Sequence, residues 1–306
     1  MMKNALFGGV NAAVLTAMTD ALAVDCDRTA RHCKWLLANG CNGLGVLGTT
    51  GEANSLGIGE RLSLMEGLTE RGVPARAMLP GTGTTALSDT VLLTKRAEEL
   101  GCRGVLLLPP FYYKHPSEDG LFAYFSEVIQ RVGGSIALYL YHFPQQSAVP
   151  IGLALVERLL RAYPGKVKGV KDSSGDFANT KAYVDHFAHE GFEVYCGDDG
   201  ALHALLQEGG AGCITASANV GSAVSARVLR NWDRQAGADA QVTLAAVRRA
   251  VTSEALIPGL KALLARHTGE AAWRNVRPPH LPLAAEAEAR LFAAFDACGV
   301  KLAPAA

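Results

Sequence analysis

The chain has 306 residues, 49% of them apolar, and its 29 basic and 29 acidic side chains cancel to a net charge of zero. That balance excludes the basic stripe of a nucleic-acid binder and the acidic tail that grips a basic partner, and it points to a small-molecule ligand. The length is long for one ordinary core and suits an α/β barrel carrying an extension.

Residues 1–23 have the outline of a cleaved leader, with Lys3, an apolar region and then Ala21-Leu22-Ala23. Gly8, Gly9 and Asn11 interrupt that region, however, and residues 10–16 are expected to form a first strand. Short β-rich runs then begin near Val10, Gly43, Ala75, Gly104, Ile136, Val167, Glu193 and Gly212, each followed by a polar or glycine turn. Amphipathic stretches lie between them, at 28–38, 59–69, 87–100 and 118–132. In the last, Leu121, Phe122, Phe125, Val128 and Ile129 share one face at helical spacing, while Trp35 and Met65 read as core.

Eight β–α steps fit either an open doubly wound sheet or a closed barrel. The first turn lacks G-x-G-x-x-G, which favours an α/β fold of the (β/α)8 TIM-barrel type over residues 1–223. Gly81-Thr82-Gly83 is not read as a phosphate loop, because no lysine follows at the right distance. Residues 224–306 lack strand patterns and read as a C-terminal helical extension, with Pro258, Pro278, Pro279 and Pro282 as its breaks. No apolar run approaches the ~18 residues of a membrane span.

The seven cysteines, at 26, 33, 41, 102, 196, 213 and 298, are scattered and form no C-x-x-C pair, which suits a reducing cytoplasm. The eight histidines show no H-x-H or H-E-x-x-H spacing, so no metal site is expected.

In a barrel of this type chemistry belongs to the C-terminal strand ends. Those ends read Gly48-Thr49-Thr50-Gly51-Glu52, Phe111-Tyr112-Tyr113, Tyr141-His142-Phe143-Pro144, Lys171 and Gly197-Asp198-Asp199. Each has a structural alternative, since threonines cap turns and tyrosines fill cores with the hydroxyl outward. Lys171 could simply pair with Asp172 or Asp176. Their joint appearance at successive strand ends favours one reactive mouth. An ammonium is costly to desolvate, so a lysine amine held among apolar side chains is drawn toward its neutral, nucleophilic form.

These motifs resemble the dihydrodipicolinate synthase and N-acetylneuraminate lyase family of class I aldolases. The resemblance runs over nearly the whole chain: G-T-T-G-E, F-Y-Y-x-x-P-S, Y-x-x-P, V-K-D-S, G-D-D, Ala218-Asn219-Val220, and the late Arg277-Pro278-Pro279 and Leu281-Pro282-Leu283. It implies that Lys171 forms a Schiff base with pyruvate or another 2-oxo acid and that Tyr141 moves protons at that centre. Thr49 and Tyr113 are implied as its relay partners, with Tyr113 reaching into a neighbouring subunit of a homotetramer built from tight dimers. Thr50 is implied to hold the pyruvate carboxylate, and Gly197 and Ile214 to line the pocket through backbone groups. Gly48, Ser173, Asp199 and Gln146 complete the candidate substrate contacts, and His142 and Ser174 are further hydroxyl-binding candidates. No cofactor is required, because a protonated imine itself withdraws electrons from the neighbouring carbon.

Two departures bear on the substrate. Dihydrodipicolinate synthases of that family carry an arginine five residues beyond the strand-end tyrosine, where this chain has Gln146, and a neutral amide cannot give a carboxylate the charged, bidentate contact of a guanidinium. Another cation, such as Arg103 or Lys114, could replace that charge from a loop or a neighbouring subunit. Sialic acid lyases carry an acidic pair after the seventh strand, where this chain keeps Asp199 but has Gly200. Aldolases and dehydratases of smaller polyhydroxy or aromatic 2-oxo acids remain; the hydroxyl-binding candidates favour a 2-keto-3-deoxy sugar acid, with dihydrodipicolinate synthesis as the alternative. A non-catalytic 2-oxo-acid sensor and a metal-dependent hydrolase are readings of other classes. The first would need no proton relay, and the second lacks histidine ligands.

Overall fold

Seven parallel strands organise the chain in a computed structural model that describes residues 5–305; Met1–Lys3, the start of the leader-like outline, lies outside the described residues. The strands are β1 (Gly9–Ala13), β2 (Gly43–Gly45), β3 (Gly104–Leu107), β4 (Ala137–His142), β5 (Val167–Asp172), β6 (Glu193–Cys196) and β7 (Gly212–Thr215). Their spatial order, β2-β1-β7-β6-β5-β4-β3, leaves an eighth place between β2 and β3. The run expected as a strand from Ala75 fills that place, but not as a regular strand. It forms a tight helical turn at Ala75–Ala77 and then only isolated parallel bridges, Leu44 with Met78 and Gly81 with Leu106. Leu79 donates its N–H to Leu44 O at 2.8 Å and Leu106 to Pro80 O at 2.8 Å, so the barrel is closed. Pro80 has no N–H to give, which interrupts the ladder there. The fold is a TIM-type barrel with seven regular strands and an eighth, bridging segment.

Alternation along the strands divides the core. Phe7, Leu79, Leu106, Tyr139, Tyr141, Tyr195 and Ile214 pack inside the barrel, while a larger cluster joins the outer strand faces to the helices. At the barrel floor the buried Glu193 carboxylate accepts the hydroxyls of Tyr139 at 2.9 Å and Tyr195 at 2.5 Å. The expected amphipathic stretches form helices at Cys26–Ala38, Ile58–Glu70, Leu87–Glu99 and Glu118–Val132. Side-chain oxygens of Asp25 and Ser117 cap the first and the last by accepting Arg28 N–H and Gly120 N–H. Leu121, Phe125, Val128 and Ile129 are buried, and Phe122 lies under the Arg158 guanidinium, 4.5 Å from its ring centre.

The helix Ala218–Arg230 runs straight through residues 223–224, and Gln235–Val251, Leu256–Thr268 and Ala285–Asp296 follow it. Their inner faces form a second core with Leu15, Ala17, Ala216 and Val220 of the barrel. Pro258 does not break this region as expected. It sits in the first turn of Leu256–Thr268, where the backbone N–H groups have no intrahelical acceptor to lose.

Candidate active site

β4 and β5 lie side by side in register, so Tyr141 pairs with Lys171, and Lys171 pairs with Tyr195 of β6 on its other side. Period-two alternation sends these side chains into the barrel near its C-terminal mouth. Lys171 is 6% exposed, and its Nζ lies 4.0 Å from the centre of the Tyr141 ring. Among the described residues its amine has no carboxylate partner. The two aspartates that could have paired with it are otherwise engaged. Asp172 accepts Ser174 N–H at 2.8 Å, Asn179 Nδ2 at 3.0 Å and the Thr180 hydroxyl at 2.6 Å, while Asp176 caps the helix Phe177–Phe187. What remains is a buried amine facing an aromatic ring.

The loop after β2 meets Tyr141 in one cavity. Leu47, Gly48, Thr49, Ala53, Asn54, Gly81, Gly83, Leu106, Leu108 and Tyr141 line one cavity. The turn is tight: Gly48 O accepts the N–H groups of Gly51 and Ala53, and Thr49 O accepts that of Glu52. Gly51 is needed because a Cβ there would fall 2.8 Å from Val14 O. Thr50 is buried beside Thr49, and Glu52 closes the turn at φ +57°, in the left-handed region. Thr49 and Tyr141 thus share a wall, although the phenol and the threonine hydroxyl do not bond to each other in this chain.

The remaining candidates divide. Ile214, in β7, belongs to the inner cluster with Tyr141 and Tyr195. Gly197 donates its N–H to Asp172 O at 2.6 Å, and the half-buried Ser173 hydroxyl occupies the space that a side chain at 197 would need. Ser174 and Gln145 tie the β4 and β5 loops together through Gln145 Nε2 and Ser174 O. Asp199 is fully buried and already accepts the hydroxyls of Ser217 at 2.7 Å and Thr215 at 3.2 Å. Burial raises its pKa above the usual carboxylate range. His142 turns outward: its Nδ1 accepts Ile151 N–H at 2.9 Å, and its ring packs edge-on against Tyr183. It serves the loop rather than the cavity.

Gln146 is exposed on the short helix Pro144–Ser147. Of the two cations that could have replaced the missing arginine, Arg103 is bound at the other end of the barrel, to Arg76 O and Leu6 O. It precedes β3, at the N-terminal end of the barrel, so it cannot swing into the mouth. Lys114 is bound to Phe111 O and Ser147 O, next to Gln146. Tyr113 is 78% exposed and Tyr112 72%, packed edge-to-face outside the cavity. Among the described residues no three His, Cys, Asp or Glu side chains form a set able to hold a metal.

Lys261 was not anticipated. Its Nζ reaches the Glu52 carboxylate in a pair with both side chains fully buried. The sequence did carry the signal: a lysine between Gly259-Leu260 and Ala262-Leu263-Leu264, where the pattern calls for an apolar side chain.

The chain is thus a parallel barrel that holds a buried lysine and tyrosine at its C-terminal mouth. Residues 6–297 match the model of the dihydrodipicolinate synthetase family. The chain belongs to that family and is a lyase. It is 35% identical to an uncharacterised DapA-like lyase of Chloroflexus aurantiacus, over 94% of this chain and 96% of that one. The crystal structure of dihydrodipicolinate synthase from Agrobacterium tumefaciens C58 superposes with a TM-score of 0.86 at 30% identity, covering 95% of this chain and 99% of the other. YagE of E. coli K12, a prophage protein of the same family solved in complex with pyruvate, gives 0.88 at 29% identity, covering 96% and 99%.

Proposed function

We propose that this lyase works through a Schiff base on Lys171 and cleaves or dehydrates a 2-keto-3-deoxy sugar acid. The observation that carries the reading is the Lys171 amine, buried at the barrel mouth over the Tyr141 ring with no carboxylate to hold it. The amine adds to the keto carbon, and the carbinolamine loses water to give the iminium ion. The C3–C4 bond then breaks with its electrons entering the iminium, while the C4 hydroxyl loses its proton and an aldehyde leaves. The enamine that remains is protonated at C3 and hydrolysed to pyruvate, which frees the lysine. Tyr141 passes these protons, with Thr49 and a neighbouring subunit's Tyr113 as its relay. A phenol alone is a poor base at neutral pH, so the relay is part of the function. Thr50, with Gly48 and the backbone of Gly197 and Ile214, holds the carboxylate end, and Ser173 and Gln146 stand at the hydroxylated end.

The exposed Tyr112–Tyr113 pair supports assembly into a homotetramer of tight dimers, and seven unpaired cysteines support a reducing, cytoplasmic setting. Borohydride reduction with pyruvate present should add one pyruvate-derived mass to the peptide carrying Lys171. Labelling that persists in Lys171→Ala would sink the assignment. A panel of 2-keto-3-deoxy acids, with Lys171→Ala as control, then identifies the substrate.

One observation favours a second reading, 4-hydroxy-tetrahydrodipicolinate synthesis: Lys114 reaches the carbonyl of Ser147, the residue after Gln146, and could offer a cation to an acidic aldehyde. Loss of the arginine contact costs about 1.5–3 kcal/mol, roughly ten- to a hundredfold in affinity. Condensation of pyruvate with aspartate semialdehyde is therefore expected to be poor and to improve in Gln146→Arg. Robust condensation by the unmodified protein, lost in Lys114→Ala, would establish the second reading instead.

A further inference from the structure

The turn that carries Thr49 and Thr50 is held from outside the barrel. Below it, Gly51 rests against Val14 O. On the other side the Glu52 carboxylate enters a site built by the C-terminal extension. One oxygen accepts Lys261 Nζ and the other accepts Arg277 N–H at 2.9 Å. Lys261 Nζ is further fixed by Asn275 O at 2.7 Å. The Arg277 guanidinium spans back to Leu22 O at 2.9 Å, Ser55 O at 2.8 Å and Glu60 Oε2 at 2.8 Å, beyond both ends of the turn. A buried carboxylate needs its cation, and a non-glycine residue in the left-handed region persists only where its surroundings over-determine it. Glu52 meets both conditions, and its N–H bond to Thr49 O at 3.1 Å passes its placement directly to the relay residue.

We propose that Lys261, acting through Glu52, is a positioning residue that sets the Thr49–Thr50 turn against Tyr141 and the bound 2-oxo acid. The reasoning rests on the Schiff-base reading above. Without Lys261 the Glu52 carboxylate must find water or a proton, and either response pulls the end of the turn outward. Thr50 then loses its place on the substrate carboxylate and Thr49 its place beside Tyr141. The chemistry is therefore coupled to a residue that touches no substrate.

The test uses a partial reaction that needs no knowledge of the second substrate: exchange of the pyruvate methyl protons with solvent deuterium, followed by NMR on the full-length protein. Lys261→Met is compared with Leu291→Ala, which cuts a buried side chain from the core of the extension and leaves the turn alone. Both should melt earlier. Well below its melting temperature, folded Lys261→Met should exchange roughly a hundredfold more slowly at saturating pyruvate, the cost of about 1 Å of misplacement, and should need more pyruvate to saturate. Leu291→Ala should keep both parameters. If Lys261→Met does not fold, Glu52→Gln, which keeps the shape and removes the charge, decides by the same two parameters. Unchanged exchange and saturation in a folded Lys261→Met or Glu52→Gln would overturn the proposal, as would an equal loss in Leu291→Ala. Failure of the wild-type protein to exchange protons or trap pyruvate would instead overturn the Schiff-base reading itself.

Discussion

Lys171 and Lys261 are both buried, and the difference between them lies in what surrounds the amine. Lys171 ends a strand on the inner face of the barrel, over an aromatic ring, with the neighbouring aspartates committed to other donors. Lys261 lies on a helix of the extension, against the Glu52 carboxylate and the Asn275 carbonyl. Burial lowers the Lys261 pKa while Glu52 pulls it back up, so the two effects oppose each other at one atom. Burial by itself therefore does not make a lysine a nucleophile. On the proposed function, the reactive lysine is the one whose surroundings offer no anion, and the positioning lysine is the one whose anion is in turn needed by a loop.

The largest effect expected from breaking this contrast is on turnover. Lys171→Ala should abolish both pyruvate trapping and activity, because among the described residues no other amine stands over Tyr141. The two lysines should then separate on stability when each is replaced by methionine. Lys171→Met removes a buried amine that faces the Tyr141 ring and has no carboxylate partner among the described residues, so urea unfolding should show it as stable as the wild type or more so. Lys261→Met strands a buried carboxylate and should cost about 3–5 kcal/mol. Equal losses in the two variants would show that the amines play the same part. Next in size is Tyr141→Phe, which should lower kcat by roughly 10²-fold or more with the fold intact, as expected for lost proton transfer. A change confined to KM would assign the phenol to binding alone. Tyr113→Phe should be milder, because it acts one step further away.

Local pattern carried much of this molecule into view. The strand runs at 104, 136, 167, 193 and 212 became β3 to β7, and Lys171 and Tyr141 stand side by side because strand ends in such a barrel converge on one mouth. The run at Ala75 was misjudged because apolar composition does not register that Pro80 lacks a donor. Pro258 was misjudged because a proline's effect depends on which helical turn it occupies. Asp199 and His142 looked available to substrate because sequence does not say which hydroxyl or N–H reaches a polar group first. Glu52 and Lys261 stand 209 residues apart, and their pairing depends on how the extension folds back on the barrel, which no local spacing encodes.

The smallest expected effect extends the comparison to a third buried group. His32 is almost wholly buried between Trp35 and Trp273, and its Nε2–H donates to Asn219 Oδ1 at 2.9 Å. That tautomer follows from Asn219, whose amide nitrogen is already donating to Ala13 O and Ala216 O. Its partner is neutral, unlike that of Lys261, so the hydrogen bond to Asn219 offsets only part of the cost of charging it. Burial lowers its pKa from 6.5 to about 4. The unfolded chain takes up this proton below pH 6.5 and the folded chain does not until about pH 4, so stability falls as the pH drops through that window. The slope for one such group is about 1 kcal/mol per pH unit. His142 and His267 are shifted in the same direction by burial, so the measurement must be a difference. Urea midpoints of the wild type and His32→Gln, followed from pH 7 to 4.5, should converge as the pH falls. Glu60, held at about 2 by its bonds to Arg277, contributes stability that is lost as the pH falls from about 4.5 toward 2; that loss is common to both proteins and cancels in the difference. A gap between the two proteins that stays constant with pH would mean that His32 takes up its proton at the same pH in the folded and unfolded chains, and that burial beside a neutral partner does not disfavour its charged form.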